Sequence, residues 1–427
     1  MTLRTLMRCM ALALAAALVA CGGGEDLSKA QVRLVNASSG YSALDLVVDD
    51  SRLQSNVAYG GSASYVEVDP DETATKVTLP GSTTALVSTT PALNEGDRYT
   101  LVAYGAEGSL AAVLLDDNAD EPDTGKAQVR VLNAAPGAGN VDVYLTTADA
   151  DLADAEALQS AAAAGVVSAF TEVDAATWRL RVTAAGDRDD LRLDLSGIVL
   201  TSRQTVTVVV TPGAGGVLVN ALVIIQRGAI NALDGASARV RAIAGVTDSG
   251  AVTATVGDTT LMNGTGAPAS GRYVLVPAGA TSAAVAVNGT AVEVPATTLA
   301  SGTDHTLLVW GPAAAPAAAW IADDNRVPTV STRAKLRLVH GLAGLADSAT
   351  LALTVDFIPA AGGVAGGTAS TPTQVDASTD ATLTVTAVGR SSTVWTATER
   401  TLAAGAVYSL FMVGPVDSPT GILFKDR

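Results

Sequence analysis

The chain has 427 residues and a formal net charge of −16. This length exceeds what one ordinary hydrophobic core supports, so we expect three or four domains. A surface this negative repels phosphate backbones, which argues against nucleic acid as a partner. It argues equally against docking onto anionic lipid by charge alone.

The first twenty residues have the layout of an export signal. Arg4 and Arg8 precede an apolar run that ends in Leu18-Val19-Ala20, and Cys21 follows. A basic start, a short hydrophobic stretch and a small residue before the cut are typical of a signal peptide. The apolar run is shorter than the roughly 20 residues that a membrane-spanning helix needs, which disfavours the alternative of an uncleaved anchor.

A cysteine at the cut resembles the lipobox of bacterial lipoproteins. The resemblance implies that residues 1–20 are a removed signal peptide, and that Cys21 carries a lipid through which the membrane is the partner. Residues 21–28 begin with three glycines and indicate a flexible tether. Since glycine and not aspartate follows Cys21, the resemblance favours the outer membrane, facing either the periplasm or the cell surface.

One block of sequence recurs four times, with an arginine in a short apolar run at each occurrence. The arginines are Arg33, Arg130, Arg241 and Arg337, and the intervals between them are 97, 111 and 96 residues. Each interval is the size of one small β-domain. We therefore divide the chain into unit 1 (29–120), unit 2 (126–231), unit 3 (236–327) and unit 4 (333–427).

Each unit consists of short runs rich in Val, Thr, Leu and Tyr, bounded by Gly, Pro, Asp, Asn and Ser. The segment 141–145 alternates apolar and polar residues with a period of two, as a half-buried strand does. Many short strands in about 95 residues predict a β-sandwich. The chain is therefore expected to be all-β, with four tandem sandwiches.

Two further conserved runs recur in every unit, the second at 65–69, 170–174, 273–277 and 372–376 and the third at 99–102, 206–209, 305–308 and 408–411. Unit 2 carries about eight additional residues before its second conserved run. Thr147 suits a helix N-cap, Asp149 and Asp151 suit a first turn, and Gly165 suits a C-terminal stop. The pattern predicts a short helical insertion on the surface of unit 2.

The same runs resemble a known family. Val-Arg-Val-Leu-Asn-Ala-Ala-Pro-Gly at 129–137, with Val-Asp-Val-Tyr at 141–144, is similar to the opening of a DUF4397 domain, and the segments 56–60, 99–105 and 273–279 extend the similarity. The resemblance implies tandem immunoglobulin-like domains in an exported bacterial protein. It implies no activity, because the family has no established one.

The sequence offers no constellation for catalysis. There are two histidines, and His340 occupies the position of Asn36 and Asn133, whereas His305 occupies that of Tyr99 and Tyr408. Residues exchanged in this way favour a structural role. With no cysteine beyond Cys21 in the mature chain, sites for zinc, iron or copper are not expected, and the protein is predicted not to be an enzyme.

The repeated arginines alternate with Val and Leu, so they are expected to point away from the core of each unit. The simplest partner is a cross-strand acid such as Asp45 or Asp142. Recognition of an anionic ligand is the alternative.

Two acidic runs give a weak indication of calcium, the only cofactor that the sequence suggests. Asp116 and Asp117 close unit 1, and Asp323 and Asp324 close unit 3. Linkers between tandem sandwiches can hold calcium through such oxygens. Neither run has the spacing of a known calcium loop, so solvated linker charge is the competing interpretation.

The tryptophans are Trp178, Trp310, Trp320 and Trp395, and each occupies a different place in its unit. Packing is therefore favoured over a shared sugar-stacking platform, and Trp320 is the one weak candidate for carbohydrate. Taken together, the sequence predicts a non-enzymatic, membrane-anchored envelope lipoprotein acting in adhesion, scaffolding or binding, with an envelope protein or polysaccharide as partner. The alternative is a carbohydrate- or polymer-binding protein that supports a separate enzyme.

Overall fold

The computed structural model describes residues 27–70, 74–346, 349–388 and 393–427. Within these ranges the chain is built of strands, with one 3-10 turn at Pro136–Ala138 and no α-helix. None of the described helices is long and apolar enough to cross a bilayer. The predicted signal peptide and Cys21 lie outside the described residues.

The strands of units 1 and 2 follow the repeat. Unit 1 contains β1 (Ala30–Asn36), β2 (Ala43–Val48), β3 (Ser51–Ala58), β4 (Val66–Val68), β5 (Thr75–Thr78), β6 (Ala85–Thr89), β7 (Arg98–Ala106) and β8 (Ser109–Asp116). Unit 2 contains β9 (Lys126–Asn133), β10 (Val141–Thr146), β11 (Gln159–Ala162), β12 (Thr171–Asp174), β13 (Thr177–Ala184), β14 (Asp187–Val199), β15 (Gln204–Pro212), β16 (Val219–Ile225) and β17 (Ile230–Leu233).

Units 3 and 4 repeat the pattern. Unit 3 contains β18 (Ser237–Val246), β19 (Ala251–Val256), β20 (Thr259–Gly266), β21 (Ala269–Ser270), β22 (Val274–Pro277), β23 (Gly279–Thr281), β24 (Ala283–Val287), β25 (Thr290–Val292), β26 (Thr297–Leu299), β27 (Asp304–Gly311) and β28 (Ala317–Asp323). Unit 4 contains β29 (Arg333–Ala343), β30 (Leu351–Val355), β31 (Ile358–Val364), β32 (Thr373–Asp376), β33 (Ser378–Ala387), β34 (Thr393–Leu402), β35 (Val407–Pro415) and β36 (Thr420–Lys425).

Two sheets face each other in every unit, which confirms the all-β, sandwich-like prediction. In unit 1 the inner sheet has the order β4-β1-β7-β8 and the outer sheet the order β3-β2-β5-β6. We call the sheet that carries the repeated arginine the inner sheet throughout. Its first strand pairs in parallel with the strand that opens the last hairpin, as β1 does with β7 and β29 with β35.

The inner sheets are buried on both faces. On β1, Val32 and Leu34 enter the core of unit 1, whereas Val35 belongs to a second cluster shared with unit 2. That second cluster packs the inner sheets of units 1 and 2 against each other, through buried residues that include Val35, Val102, Leu132, Val209 and Leu222. A sheet buried on both faces explains why every residue of β15 between its two end residues is buried.

Units 3 and 4 pack in the same way. Their shared cluster contains Ile243 and Leu308 from unit 3 and Val339, Phe411 and Val413 from unit 4. The described chain therefore contains two such four-layered pairs, units 1 and 2 and units 3 and 4. The sequence predicted four tandem sandwiches and gave no indication that they pack in pairs.

The helical insertion in unit 2 was a wrong prediction. Its residues form turns followed by β11. The carbonyl groups of Ala148, Ala150 and Ala155, which a helix would have used internally, accept hydrogen bonds from Arg179, Arg181 and Arg188 at 3.0, 3.0 and 2.8 Å. Asp151 turns its carboxylate onto the backbone N–H of Ala153 at 2.9 Å. The arginines of the β13–β14 hairpin thus hold the segment open against the outer sheet.

Candidate functional site

The repeated arginines form the most regular polar feature of the molecule. Because the first strand of each inner sheet is parallel to its neighbour, the register places Arg33 opposite Thr100 and Arg337 opposite Ser409. Each arginine Nε donates to the hydroxyl opposite it. The four bonds are Arg33–Thr100 at 2.8 Å, Arg130–Thr207 at 2.9 Å, Arg241–Thr306 at 3.0 Å and Arg337–Ser409 at 2.7 Å.

In three of the units the same hydroxyl donates in turn to an acid that ends the last strand or directly follows it. Thr306 donates to Asp323 at 2.6 Å and Ser409 to Asp426 at 2.5 Å, and Thr100 donates to Asp117. An arginine, a hydroxyl and a carboxylate therefore form a relay, which we call the arginine relay.

An aromatic ring covers the guanidinium in units 1 to 3. The guanidinium carbon lies 4.6 Å from the ring centre of Tyr65 in unit 1, 4.5 Å from Phe170 in unit 2 and 4.4 Å from Tyr273 in unit 3. This is the range of a cation–π contact. The Tyr273 hydroxyl also donates to Asp323 at 2.6 Å, so the ring completes the relay.

The repeated arginines of units 1 and 2 reach across to each other. Arg33 Nη1 donates to the carbonyl of Gly228 in unit 2 at 2.6 Å, and Arg130 Nη2 donates to the carbonyl of Asp116 in unit 1 at 2.8 Å. Each guanidinium group thus donates to a backbone carbonyl near the C-terminal end of the other unit. The contact is reciprocal, as in a two-fold symmetric interface.

Units 3 and 4 contact each other in the same reciprocal way, but here the arginine of each unit pairs with a carboxylate of the other unit. Arg337 Nη2 donates to Asp323 Oδ1 of unit 3 at 2.5 Å, and Arg241 Nη2 lies 2.6 Å from Asp426 Oδ1 of unit 4. All four side chains are at most 4 % exposed. Removing one partner of such a pair leaves an unmatched charge in the protein interior.

Burial and charge set the ionisation of this cluster. Burial works to raise the pKa of Asp323, but the charges of Arg337 and Arg241 outweigh it and hold that pKa below its ordinary value. Burial raises the pKa of Tyr273 well above its usual range, and the carboxylate of Asp323 adds to the effect. The tyrosine consequently stays protonated and can act as a donor.

A separate ion bridge joins the two pairs. Arg239 of unit 3 donates to Asp190 of unit 2 at 2.7 Å and to Asp304 of its own unit at 2.9 Å. Arg192 binds the same Asp190 at 2.8 Å. One carboxylate is therefore held between arginines of adjacent units, and these charges lower its pKa against the opposing effect of burial.

The partners that we predicted for the repeated arginines were wrong. Asp45 pairs with Arg52 at 2.8 Å and accepts the backbone N–H of Asn56 at 2.8 Å. Asp142 accepts the equivalent N–H of Ala161 at 2.7 Å. Asn56 and Ala161 have positive φ, so these acids clamp a strand irregularity of the outer sheet, while the arginines face the other unit.

The structure divides the four calcium candidates into two kinds. Asp117 and Asp323 are buried, and their oxygens serve the arginine relays. Asp116 is exposed and accepts from Asn118, and Asp324 pairs with Arg326 at 2.8 Å, with its pKa lowered to about 2 against the effect of burial. Within the described residues, no group of three His, Cys, Asp or Glu side chains is placed to hold a metal.

The two histidines make local contacts. His340 is 2 % exposed, and its Nδ1 accepts the N–H of Leu342 at 3.2 Å. Asn36 and Asn133 accept the corresponding N–H groups two residues further on, at 3.1 and 3.0 Å. His340 therefore fills the predicted asparagine position. His305 lies 2.9 Å from the Thr303 hydroxyl.

The tryptophans do not share a surface. Trp178 packs against the core of unit 2, Trp395 against that of unit 4, and Trp310 between units 3 and 4. Trp320 packs against the core of unit 3 and donates to the carbonyl of Pro295 at 3.1 Å, while it also lines a cavity of about 390 Å³ between units 3 and 4. A larger cavity of about 560 Å³ lies between units 2 and 3 and is lined by the Arg179–Asp194 ion pair.

Sequence reasoning missed the hydroxyl and aromatic members of the arginine relay. The signal was present, because Thr100, Thr306 and Ser409 stand at the same place in the third conserved run, and Tyr65 and Tyr273 each open the second. What the repeat could not indicate was that both faces of the inner sheet are covered.

Comparison with known proteins places the chain in a family and leaves its ligand open. Residues 30–144 and 238–345 match the family described as "Domain of unknown function (DUF4397)". Each matched stretch runs through an odd-numbered unit into the opening of the next. No curated protein matches the sequence.

Two solved structures show a distant likeness. One is the carbohydrate-binding module CBMbc (family CBM26) of Eubacterium rectale Amy13K in complex with maltoheptaose, at 11% identity over 47% of this chain and 97% of the module, with a TM-score of 0.17. The other is the Bacillus anthracis TIE protein, at 8% identity over 89% of this chain and 67% of that protein, with a TM-score of 0.13.

Proposed function

Because the chain belongs to the DUF4397 family of domains of unknown function, we propose that it is a non-enzymatic, lipid-anchored envelope protein whose four immunoglobulin-like domains form a rigid scaffold. The scaffold holds a binding surface at a fixed place relative to the outer membrane. No cofactor is needed for this role.

The reciprocal burial of the inner sheets carries the proposal. Interfaces between domains of one chain are often small and polar, and they permit relative motion. Here the contact between units 1 and 2 has an apolar centre that includes Val35, Leu132 and Leu222, with Arg33 and Arg130 bonded across it. Such an interface supports a stiff pair of units, which suits a scaffold better than a flexible string of domains.

Attachment to the membrane rests on the sequence around Cys21. The lipobox-like stretch before it and the glycine-rich tether after it support a lipid at the start of the mature protein. One acyl chain holds a protein only reversibly, so a stable anchor at Cys21 requires a second chain or another membrane-binding signal.

Replacing the proposed lipid site tests the anchor. In cells that carry Cys21→Ser, we expect the protein to move from the membrane fraction to the soluble fraction and to lose incorporation of labelled fatty acid. Cys9→Ser is the matched control, because it changes the other cysteine of the same leader and is expected to leave both properties intact. Membrane association of the Cys21→Ser protein equal to that of the unaltered protein would refute the lipid anchor.

Protease treatment of intact cells then defines the side on which the scaffold acts. Degradation while periplasmic markers survive would assign the domains to the cell surface and to adhesion. Survival until the outer membrane is opened would assign them to the periplasm, where crosslinking to envelope proteins is the next step.

A carbohydrate- or polymer-binding role is the second candidate. It is favoured by the cavity between units 3 and 4, where the half-buried Trp320 adjoins the hydroxyl-bearing segment 368–371. A glycan array with the unaltered protein and with Trp320→Ala tests this role. Binding of a glycan that the variant loses would support it, and blank arrays for both would count against it.

A further inference from the structure

The hairpin between β30 and β31 in unit 4 ends in an exposed aromatic residue. Val355 pairs with Ile358, so Asp356 and Phe357 form a two-residue turn. Phe357 is 93% exposed and the neighbouring Ile358 is 64% exposed. These two side chains form the most exposed apolar pair in adjacent positions of the described chain, and we call the segment 356–359 the hairpin tip.

The backbone at the hairpin tip makes the choice of phenylalanine costly. Asp356 has φ +47° and Phe357 has φ +69°. A tight turn with two positive φ angles strongly prefers asparagine, aspartate or glycine, and a bulky residue there is an outlier. Strained residues of this kind persist mainly where function needs them.

The other units provide internal comparisons. The equivalent turn of unit 1 is Asp49–Asp50, with φ +46° and +63°, and that of unit 3 is Gly257–Asp258. Both turns carry polar or small residues, as their geometry favours. Only in unit 4, among these three turns, does the second position combine an unfavourable conformation with an apolar ring that is 93% exposed.

We propose that the hairpin tip is a docking site for a protein partner that offers an apolar pocket with a basic rim, and that Phe357 is the anchor that fills this pocket. A single aromatic side chain seated in a dry pocket is the usual centre of a protein–protein contact. The carboxylate of Asp356, the residue before Phe357, accepts the N–H of Thr382 at 2.8 Å, and the chain as a whole carries a net charge of −16.

Charge decides between a protein pocket and a lipid bilayer. Inserting Phe357 into a membrane would carry the adjacent Asp356 towards the hydrocarbon region, where a carboxylate is strongly disfavoured. Anionic headgroups would also repel a chain of this net charge. A pocket with lysine or arginine at its rim instead uses the same carboxylate as a complementary contact.

The proposal extends the scaffold role by naming where a partner binds, and it can be tested without the lipid. Purified Cys21→Ser protein allows the tip to be studied separately from the anchor. In this background, Phe357→Asn is expected to raise the midpoint of thermal unfolding, because asparagine accepts positive φ readily. A fall in the midpoint would show that the ring stabilises its own unit, and it would overturn the proposal.

Binding is tested by crosslinking in intact cells from a photoreactive phenylalanine introduced at position 357. The same photoreactive residue introduced at position 50 is the matched control. We expect one protein adduct of defined mass from position 357 and none from position 50. The crosslinked protein, once purified, should bind the Cys21→Ser chain at least tenfold more weakly when Phe357→Asn is added. Val199→Thr removes an apolar side chain of unit 2 that is 62% exposed and should leave the affinity unchanged.

Several results would overturn the proposal. They are the absence of an adduct, an adduct with lipid alone, an adduct between two copies of this chain alone, and an unchanged affinity of the Phe357→Asn variant. The Cys21→Ser fractionation reports on the anchor independently, so failure of the docking site and failure of the scaffold's attachment can be told apart.

Discussion

The indole of Trp310 in unit 3 lies directly over Gly367 in unit 4, so closely that a Cβ at Gly367 would overlap the ring. The phenol of Tyr104 in unit 1 has the same relationship to Gly165 in unit 2. Both glycines have positive φ, +73° and +76° respectively. An aromatic residue of the odd-numbered unit is thus seated on a glycine of the even-numbered unit in both pairs.

The close contact between Trp310 and Gly367 predicts that a single methyl group added at Gly367 strongly destabilises the protein. Gly367→Ala combines overpacking at the interface with an unfavourable positive φ, and we expect it to lower the free energy of unfolding by about 2–4 kcal/mol. Gly363 has φ +68° but has nothing within 4 Å of a Cβ, so Gly363→Ala should cost only about 1 kcal/mol. Equal losses in urea titrations of the two variants would show that backbone strain, and not the Trp310 contact, explains the effect.

The burial of the arginine relay predicts that losing its carboxylate destabilises the protein more than losing the carboxylate of an exposed ion pair. Asp323→Asn keeps the size of the side chain but leaves Arg337 without its carboxylate partner, and should cost about 3–5 kcal/mol. Asp174→Asn disrupts an exposed pair with Lys126, 2.9 Å apart, and should cost far less, because water screens the two charges. Denaturant unfolding of both variants provides the comparison, and a small loss for Asp323→Asn would mean that the buried cluster is not stabilising.

His340 predicts a pH dependence with a definite sign. Burial lowers its pKa from 6.5 to about 4, so the unfolded chain takes up a proton in a range where the folded protein does not. The resulting stability is complete above pH 6.5 and is lost as the pH falls towards 4. His340→Asn restores the residue of units 1 and 2 and should lose less stability than the unaltered protein between pH 7 and pH 4.5.

Thermal unfolding of both proteins across this pH range is the measurement. Burial also lowers the pKa of His305, which acts in the same direction, but His305 is present in both proteins and cancels in the comparison. Parallel pH profiles would contradict the assigned role of His340.

The Asp190 bridge predicts a weak point between the two pairs. Asp190→Ala removes the carboxylate that holds Arg239 and Arg192, leaving both guanidinium groups partly unmatched. We expect faster proteolytic cleavage within 232–236, the segment that joins units 2 and 3, while each pair stays folded. Asp234→Ala, which changes an acid of that segment itself, is the control. If cleavage of Asp190→Ala is no faster than that of the control, the bridge does not restrain the junction.

The sequence predicted most of the local architecture, because alternation is a local property. The periodicity of 141–145 was enough to predict the strand β10, and the motifs at 129–137 and 141–144 carried the resemblance to the family whose model matches. Alternation also shows that Arg33 faces away from Val32 and Leu34, but it cannot show what covers that face. The partner of Arg33 is a carbonyl 195 residues away, and such a contact depends on how complete units pack.

The prediction of a helix in the insertion of unit 2 was wrong for a related reason. Thr147 and Gly165 are sound helix boundaries, but propensity is a weak influence when nearby side chains compete for the backbone. The guanidinium groups of Arg179 and Arg188 belong to the β13–β14 hairpin and bond the carbonyls of this segment. No local pattern in 147–165 indicates those donors.

Pairwise packing of the units is the claim on which the scaffold rests, and hydrogen exchange during stepwise denaturation tests it most directly. Amides of β7 in unit 1 and β15 in unit 2 should lose protection together as the urea concentration rises, as should those of β27 and β35 in units 3 and 4. Full protection of β15 at a concentration where β7 has already exchanged would contradict the account, since it would show that unit 2 stands without unit 1.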